Sequence, residues 1–451
     1  MDEAQSETPN ETLEAADART EVRLDDRLNG FDVTDFSGPF ETFTLPDGAS
    51  FPWYVLRFDK AGALVSPEAL EHLQRDLRSG AFTDVFLFSH GWNNDWPAAQ
   101  KRYRDFITNM VAMRQARPSP HGLSIRPLLI GVVWPSTSWM MPWEKGPRFA
   151  GGTEGSLLDG DAALETARRL LGGASFELAD AEATEPFLAE DLVASWRALE
   201  QEFGVDGEGE SPVFSSGGFV DGDAGPTGPA PARPAADLGK LDPRGVLRAF
   251  TVWKMKDRAG TVGGRGVARV LEAVRRCCDA HLHLVGHSFG AKVVSEAVAA
   301  ADWPDSAEPP VRSLFLLQPA MSAWCFAAEP VVGGYRKVLD RVGLPILSTF
   351  SRQDVPLRRV FHLALRRKRD FAEVQAADRV PKWAALGGFG PQGLGDAVRE
   401  LEIPLPGTVL DLDGEARVLA LQGHERITGH GDVVNELTAW ALWSLVDHGR
   451  V

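Results

Sequence analysis

The chain predicts an α/β fold built on parallel strands, and three features of its sequence carry that expectation. Compact apolar runs at 84–89 (Asp-Val-Phe-Leu-Phe-Ser) and 128–134 (Leu-Leu-Ile-Gly-Val-Val-Trp) lack polar alternation, as strands buried on both faces do. Strand, helix and strand follow one another over residues 53–89, which requires a parallel crossover. A further apolar strand, 281–287, runs directly into a helical pattern through Gly286-His287-Ser288-Phe289-Gly290.

Taken in order, residues 1–37 are rich in Asp, Glu, Ala and Thr and poor in aromatics, the composition of an acidic disordered tail. The first part of the core, 38–145, opens with strands at 40–45 and 53–58. Ser66 then caps a helix with Pro67 at its first position and Leu70, Leu73 and Leu77 at helical spacing. The strand at 84–89 leads to a helix over 98–113, and the strand at 128–134 ends in Pro135-Ser136-Thr137-Ser138-Trp139. Residues 146–240 form an insertion: two acidic helical patterns, near 160–171 and 186–203, precede a Gly/Pro/Ser-rich tether. The core resumes over 241–451 with a helix at 267–276, the strand at 281–287, a helix at 291–301, strands at 311–317, 345–350 and 416–421, and a terminal helix at 433–446.

A chain of 451 residues with 44% hydrophobic content can bury a substantial core. Its net charge of −16 argues against nucleic acid as a partner, because phosphate binding needs a basic surface. Cys277, Cys278 and Cys325 are too few for a disulfide framework. The acidic N-terminus lacks the features of a signal peptide, and no apolar run is long enough to span a bilayer, so a cytoplasmic location is expected.

The chemistry centres on Ser288. A strand turning sharply into a helix exposes the residue at its apex, and the Phe289 N–H at the helix start is placed to receive an oxyanion. Serine needs a base and an acid to orient it, in the chain order Ser, Asp, His. Asp354 lies just past the strand at 345–350, in Ser351-Arg352-Gln353-Asp354. His430, between two glycines before the terminal helix, is preferred as the base, with His424 as the other candidate. The second oxyanion donor is expected from Trp92, in the loop His90-Gly91-Trp92 after the strand at 84–89.

These residues resemble the α/β-hydrolase superfamily, on its bacterial serine esterase and lipase side, over about residues 38–450. The likeness rests on His90-Gly91-Trp92, Val133-Trp134-Pro135-Ser136, Gly286-His287-Ser288-Phe289-Gly290, Ser351-Arg352-Gln353-Asp354 and Gly429-His430-Gly431-Asp432. It implies a mostly parallel sheet of about eight strands with helices on both faces, a Ser288-Asp354-His430 catalytic triad, an oxyanion hole at Trp92 and Phe289, no metal and no organic cofactor. The insertion after the fourth strand, a possible lid, is longer than such proteins need, as is the segment between Asp354 and His430.

The expected activity is hydrolysis of a small-molecule ester, thioester or lipid-like substrate, with His90, Gly91, His287, Trp134 and Trp139 as substrate-binding candidates. Trp134, Trp139, Met140, Met141 and Trp143 either line an acyl pocket or anchor the insertion as core. Acyltransferase or peptidase chemistry, or a non-catalytic binding module on the same scaffold, are the alternatives. His281, His283 and His287 recur at even spacing and imitate a metal set, but nothing adds a carboxylate at ligand spacing. The basic segment from Arg358 to Arg369 reads as a solvated face paired with the acidic insertion.

Overall fold

Among the described residues nine strands form, most of them short runs of Val, Leu, Ile and Phe bounded by turn residues: β1 (Glu41–Thr44), β2 (Ser50–Arg57), β3 (Asp84–Ser89), β4 (Pro127–Val133), β5 (His281–His287), β6 (Ser313–Leu317), β7 (Ile346–Phe350), β8 (Val398–Glu402) and β9 (Val418–Gln422). The computed structural model describes residues 37–92, 94–117, 125–136, 255–303, 308–328, 332–361, 380 and 384–448. All but the last residue of the expected tail at 1–37, the insertion at 146–240, Trp139 and most of the basic segment lie outside the described residues. The strands make one sheet in the order β1-β2-β4-β3-β5-β6-β7-β9-β8. Only β1 pairs antiparallel, with β2; the other pairings are parallel. The chain is therefore an α/β protein on a mostly parallel sheet.

Among the described residues five longer helices flank the sheet: α1 (Pro67–Arg78), α2 (Trp96–Ala116), α3 (Ala268–Cys277), α4 (Phe289–Ala300) and α5 (Glu436–Asp447). Ala69, Leu73 and Leu77 form the buried stripe of α1, which packs on α3, and α3 in turn packs on α4. On the opposite face α2 packs against α5. Residues alternate across a strand, so Phe86 and Phe88 of β3 both point to the α2/α5 side. Phe86 meets Trp443 with ring centroids 6.1 Å apart, and Phe88 meets Phe106 at 4.5 Å. Each such buried ring contributes roughly 2 kcal/mol. The two helices are also joined by a buried ion pair, Arg114 Nη1 to Asp447 Oδ1 at 2.9 Å, with Arg117 Nε on the other oxygen at 2.9 Å.

Two elements depart from the sequence expectation. β8 reads Val-Arg-Glu-Leu-Glu, too charged to signal a strand, and forms because it lies at the sheet edge, where one side faces water. A π-helical turn, Val262–Val267, precedes α3, and its glycines hid it from a periodicity reading. Parallel strands bring their carboxyl ends to one edge, so the segments after β3, β4, β5, β6, β7 and β9 converge there. No helix among the described residues is long and apolar enough to cross a membrane.

Candidate active site

The sharp turn between β5 and α4 puts Ser288 at φ 56° and ψ −123°, a conformation that costs a non-glycine residue of order 1–3 kcal/mol. Three backbone hydrogen bonds hold it: Ser288 N–H donates to the Leu317 carbonyl at 3.0 Å, and its own carbonyl accepts from Ala291 and Ala320, each at 3.1 Å. The end of β6 thus clamps the strained turn. The Gly290 backbone lies against the Ser89 and His90 carbonyls, so no side chain fits there.

The Ser288 hydroxyl donates to His430 Nε2 at 2.7 Å, and His430 Nδ1–H donates to Asp354 Oδ2 at 2.8 Å. Asp354 is fully buried, and its remaining acceptor sites are filled by Gln318 Nε2 at 3.0 Å and the Leu357 N–H at 3.0 Å. The three side chains come from the ends of β5, β7 and the loop after β9, and they form one unbroken hydrogen-bonded chain. His424 is not part of it. Its Nδ1 accepts from the Arg352 N–H at 3.3 Å, and its ring stands edge-on to Phe350 at 5.3 Å. Burial also lowers its pKa.

The loop after β3 presses on the nucleophile. A methyl group on Gly91 would stand 2.5 Å from the Ser288 Cβ and 3.0 Å from the His287 carbonyl oxygen. Only glycine allows that approach. The Trp92 N–H makes no hydrogen bond among the described residues. Phe289 opens α4, where N–H groups have no partner four residues back. The Phe289 N–H adjoins Ser288 in sequence, and the loop that carries Trp92 touches Ser288 through Gly91.

His90 and Trp134 are buried beneath this loop, with 1% and 2% of their surface exposed, so they support it from below and offer almost no surface to a ligand. Their rings stack at 5.6 Å and 5°. The indole N–H donates to the His90 carbonyl at 3.1 Å, and His90 Nδ1–H donates to the Gly91 carbonyl at 2.9 Å. Burial pushes the His90 pKa down to about 4, which keeps the ring neutral. His287 has a related place: its Nε2–H donates to the His430 carbonyl at 2.8 Å, steadying the turn that carries the imidazole. Burial, with Arg102 and His430 nearby, holds its pKa well below the usual histidine value.

Sequence reasoning missed several residues that fix these loops, because their partners are remote in the chain. Asn94 Nδ2 donates to the Gly91 carbonyl at 3.0 Å and the Trp92 carbonyl at 2.9 Å, while Ser136 Oγ accepts from the Asn94 N–H at 3.1 Å and donates to its carbonyl at 2.9 Å. The Tyr103 hydroxyl accepts the His90 N–H at 2.9 Å and donates to the Val132 carbonyl, tying β3 to β4. Gln318, itself at φ 42°, holds Asp354. A serine or asparagine clamp of this kind leaves no local pattern.

The even-spaced histidines separate in space. His287 belongs to the site just described. His281 and His283, at the opposite end of β5, gain the carboxylate the sequence did not reveal: Asp84 pairs with His281 in register on β3, and the ligand-type atoms of Asp84, His281 and His283 lie within 4.8 Å of one another. His283 is engaged at both nitrogens, by Asp84 at 3.0 Å and Ser313 at 2.7 Å, in a buried polar network.

No family model, curated protein or solved structure matches the chain.

Proposed function

We propose that the chain is a serine hydrolase of the α/β-hydrolase type, cleaving a carboxylic ester or thioester of a small or lipid-like molecule through an acyl-enzyme. The observation that carries this reading is the chain Ser288 Oγ–His430–Asp354, at 2.7 and 2.8 Å, on a serine held at φ 56°. A serine capping a helix or filling a core has no reason to occupy a strained turn against a part-exposed imidazole held by a buried carboxylate.

In the mechanism His430 Nε2 takes the hydroxyl proton as Ser288 Oγ bonds to the substrate carbonyl carbon. The resulting oxyanion lies toward the Trp92 and Phe289 N–H groups, each such donor being worth about 3 kcal/mol in the transition state. Asp354 keeps the proton on Nδ1 and stabilises the imidazolium. The carbonyl reforms as the bond to the alcohol or thiol breaks, and His430 returns its proton to the departing atom. Water, deprotonated by His430, then attacks the acyl carbon and Ser288 leaves with the proton. These steps ask for no cofactor. An acidic chain with three unpaired cysteines fits a reducing compartment such as the cytoplasm.

Hydrolysis of p-nitrophenyl esters of graded acyl length tests the proposal. Turnover by the native chain and none by Ser288→Ala of equal Tm is expected, whereas equal rates for the two proteins would place the chemistry elsewhere.

A further inference from the structure

We infer that Arg102 forms a subsite for a carboxylate or phosphate oxyanion on the leaving-group side of the ester, so that the natural substrate carries a negative charge there. The inference rests on the hydrolase reading above.

Arg102 lies in the second turn of α2, directly behind the loop that presses on Ser288. Its Nε donates to Asn94 Oδ1 at 3.3 Å, and Asn94 is the residue whose amide fixes the Gly91 and Trp92 carbonyls. On its far side Nη2 comes within 3.9 Å of where a Gly431 side chain would begin, one residue beyond His430. The guanidinium therefore bridges the oxyanion-side loop and the turn that carries the base. His430 Nε2 must deliver its proton to the departing oxygen, so the alcohol portion of a substrate leaves on this side.

Among the described residues Arg102 has no ion-pair partner, and the nearby Asp105 acts on it only through space. Neither terminal nitrogen donates a hydrogen bond among these residues. Three carboxylates on the same helix start and on the His430 turn have other partners. Asp95 accepts from the Ala98 N–H at the start of α2, Asp105 pairs with Lys101 at 2.5 Å, and Asp432 accepts from the backbone and hydroxyl of Thr428 at 3.0 and 3.1 Å. The neighbouring rings of His90 and His287 are neutral, and burial lowers the Arg102 pKa itself. A half-buried guanidinium with two free edges and an anchored Nε presents the planar fork that binds a carboxylate or phosphate in two-point fashion. In a chain of net charge −16, a cation beside the site with no ion-pair partner among the described residues is also a local exception to the surrounding field.

The test compares acetate esters that differ only in charge: 3- and 4-acetoxybenzoate, 4-acetoxyphenyl phosphate, and the neutral methyl 4-acetoxybenzoate. The native chain is expected to favour the anions in kcat/KM through a lower KM, although the methyl ester has the better leaving group. Arg102→Gln should cut that preference by about 10- to 100-fold, the span of a charge-assisted hydrogen bond, and Arg102→Lys should restore part of it. The carboxylate and phosphate arms show which oxyanion is preferred. Competitive inhibition of the native chain by 4-hydroxybenzoate, stronger than by its methyl ester, gives the same answer if the variants do not fold. No anion preference in the native chain, or a preference that survives Arg102→Gln, overturns the subsite while leaving the hydrolase intact. Absence of turnover on every ester together with an unreactive Ser288 would instead overturn the hydrolase reading, and this inference with it.

Discussion

Replacing Gly91 by alanine adds one methyl group at the tightest point of the candidate site. That methyl would lie 2.5 Å from the Ser288 Cβ, 3.0 Å from the His287 carbonyl and 3.2 Å from His287 Nδ1. Carbon atoms rest at about 3.5–4.0 Å, so the loop or the serine must move by about 1 Å or more. The serine is clamped by Leu317, Ala291 and Ala320, and the loop by Asn94, Ser136 and Tyr103, so neither yields freely. Displacing an oxyanion donor by that much should lower kcat about 10²- to 10³-fold, as loss of one donor does. Overpacking should cost only about 1–3 kcal/mol of stability. The assay is kcat on p-nitrophenyl acetate together with thermal unfolding. Gly343→Ala, where the new methyl meets nothing closer than 3.7 Å, serves as the control. A folded Gly91→Ala protein with kcat within about threefold of native would refute the placement of this loop at the reacting carbonyl.

His430→Ala should lower kcat by several orders of magnitude and His424→Ala by far less, and the reverse ranking in steady-state kinetics would transfer the base to His424. Gln318→Leu removes one donor from the Asp354 carboxylate and should lower kcat about tenfold, read on the same esters, with Asp354→Asn costing more. Acid should weaken the fold in a defined window. His90 has a folded pKa of about 4, so between pH 6.5 and 4 only the unfolded chain takes up its proton, and His287, held well below the usual histidine value, adds to the loss as pH falls below 6.5. Their contribution is complete above pH 6.5 and falls by about 1 kcal/mol per histidine per pH unit as acid is added. Urea unfolding at pH 7 and pH 5 measures it, and equal stabilities would show that the buried rings ionise in the folded protein.

What was legible in the sequence was local. The run at 84–89 needs no context to read as a buried strand, and the glycines around Ser288 announce a turn that only a tight strand–helix junction requires. Pro67 marked a helix start through its own chemistry, but the Ser66 side chain does not cap that helix and instead accepts from the Arg57 N–H at 3.0 Å; the terminal helix begins at Glu436 rather than 433, after a capping box between Asn435 and Thr438 that the sequence reading missed. Contacts across the sheet were not legible. Asp84 meets His283 across 199 residues, Ser136 meets Asn94 across 42, and Gln318 reaches Asp354 across 36. Such residues have no periodicity or spacing to betray them, and they become meaningful only when the strand order is known. The reading of His90, Trp134 and His287 as wall residues shows the same gap: aromatic and imidazole rings near a reacting centre suit a pocket or its foundations, and burial places these in the foundations.

The most direct measurement of the central claim is covalent labelling with a fluorophosphonate, followed by intact-protein and peptide mass spectrometry. The account predicts one phosphonyl group per chain, bonded to Ser288 Oγ, with labelling abolished in Ser288→Ala and slowed by orders of magnitude in His430→Ala. A folded native chain that stays unlabelled, or that carries the group on another residue, would contradict it.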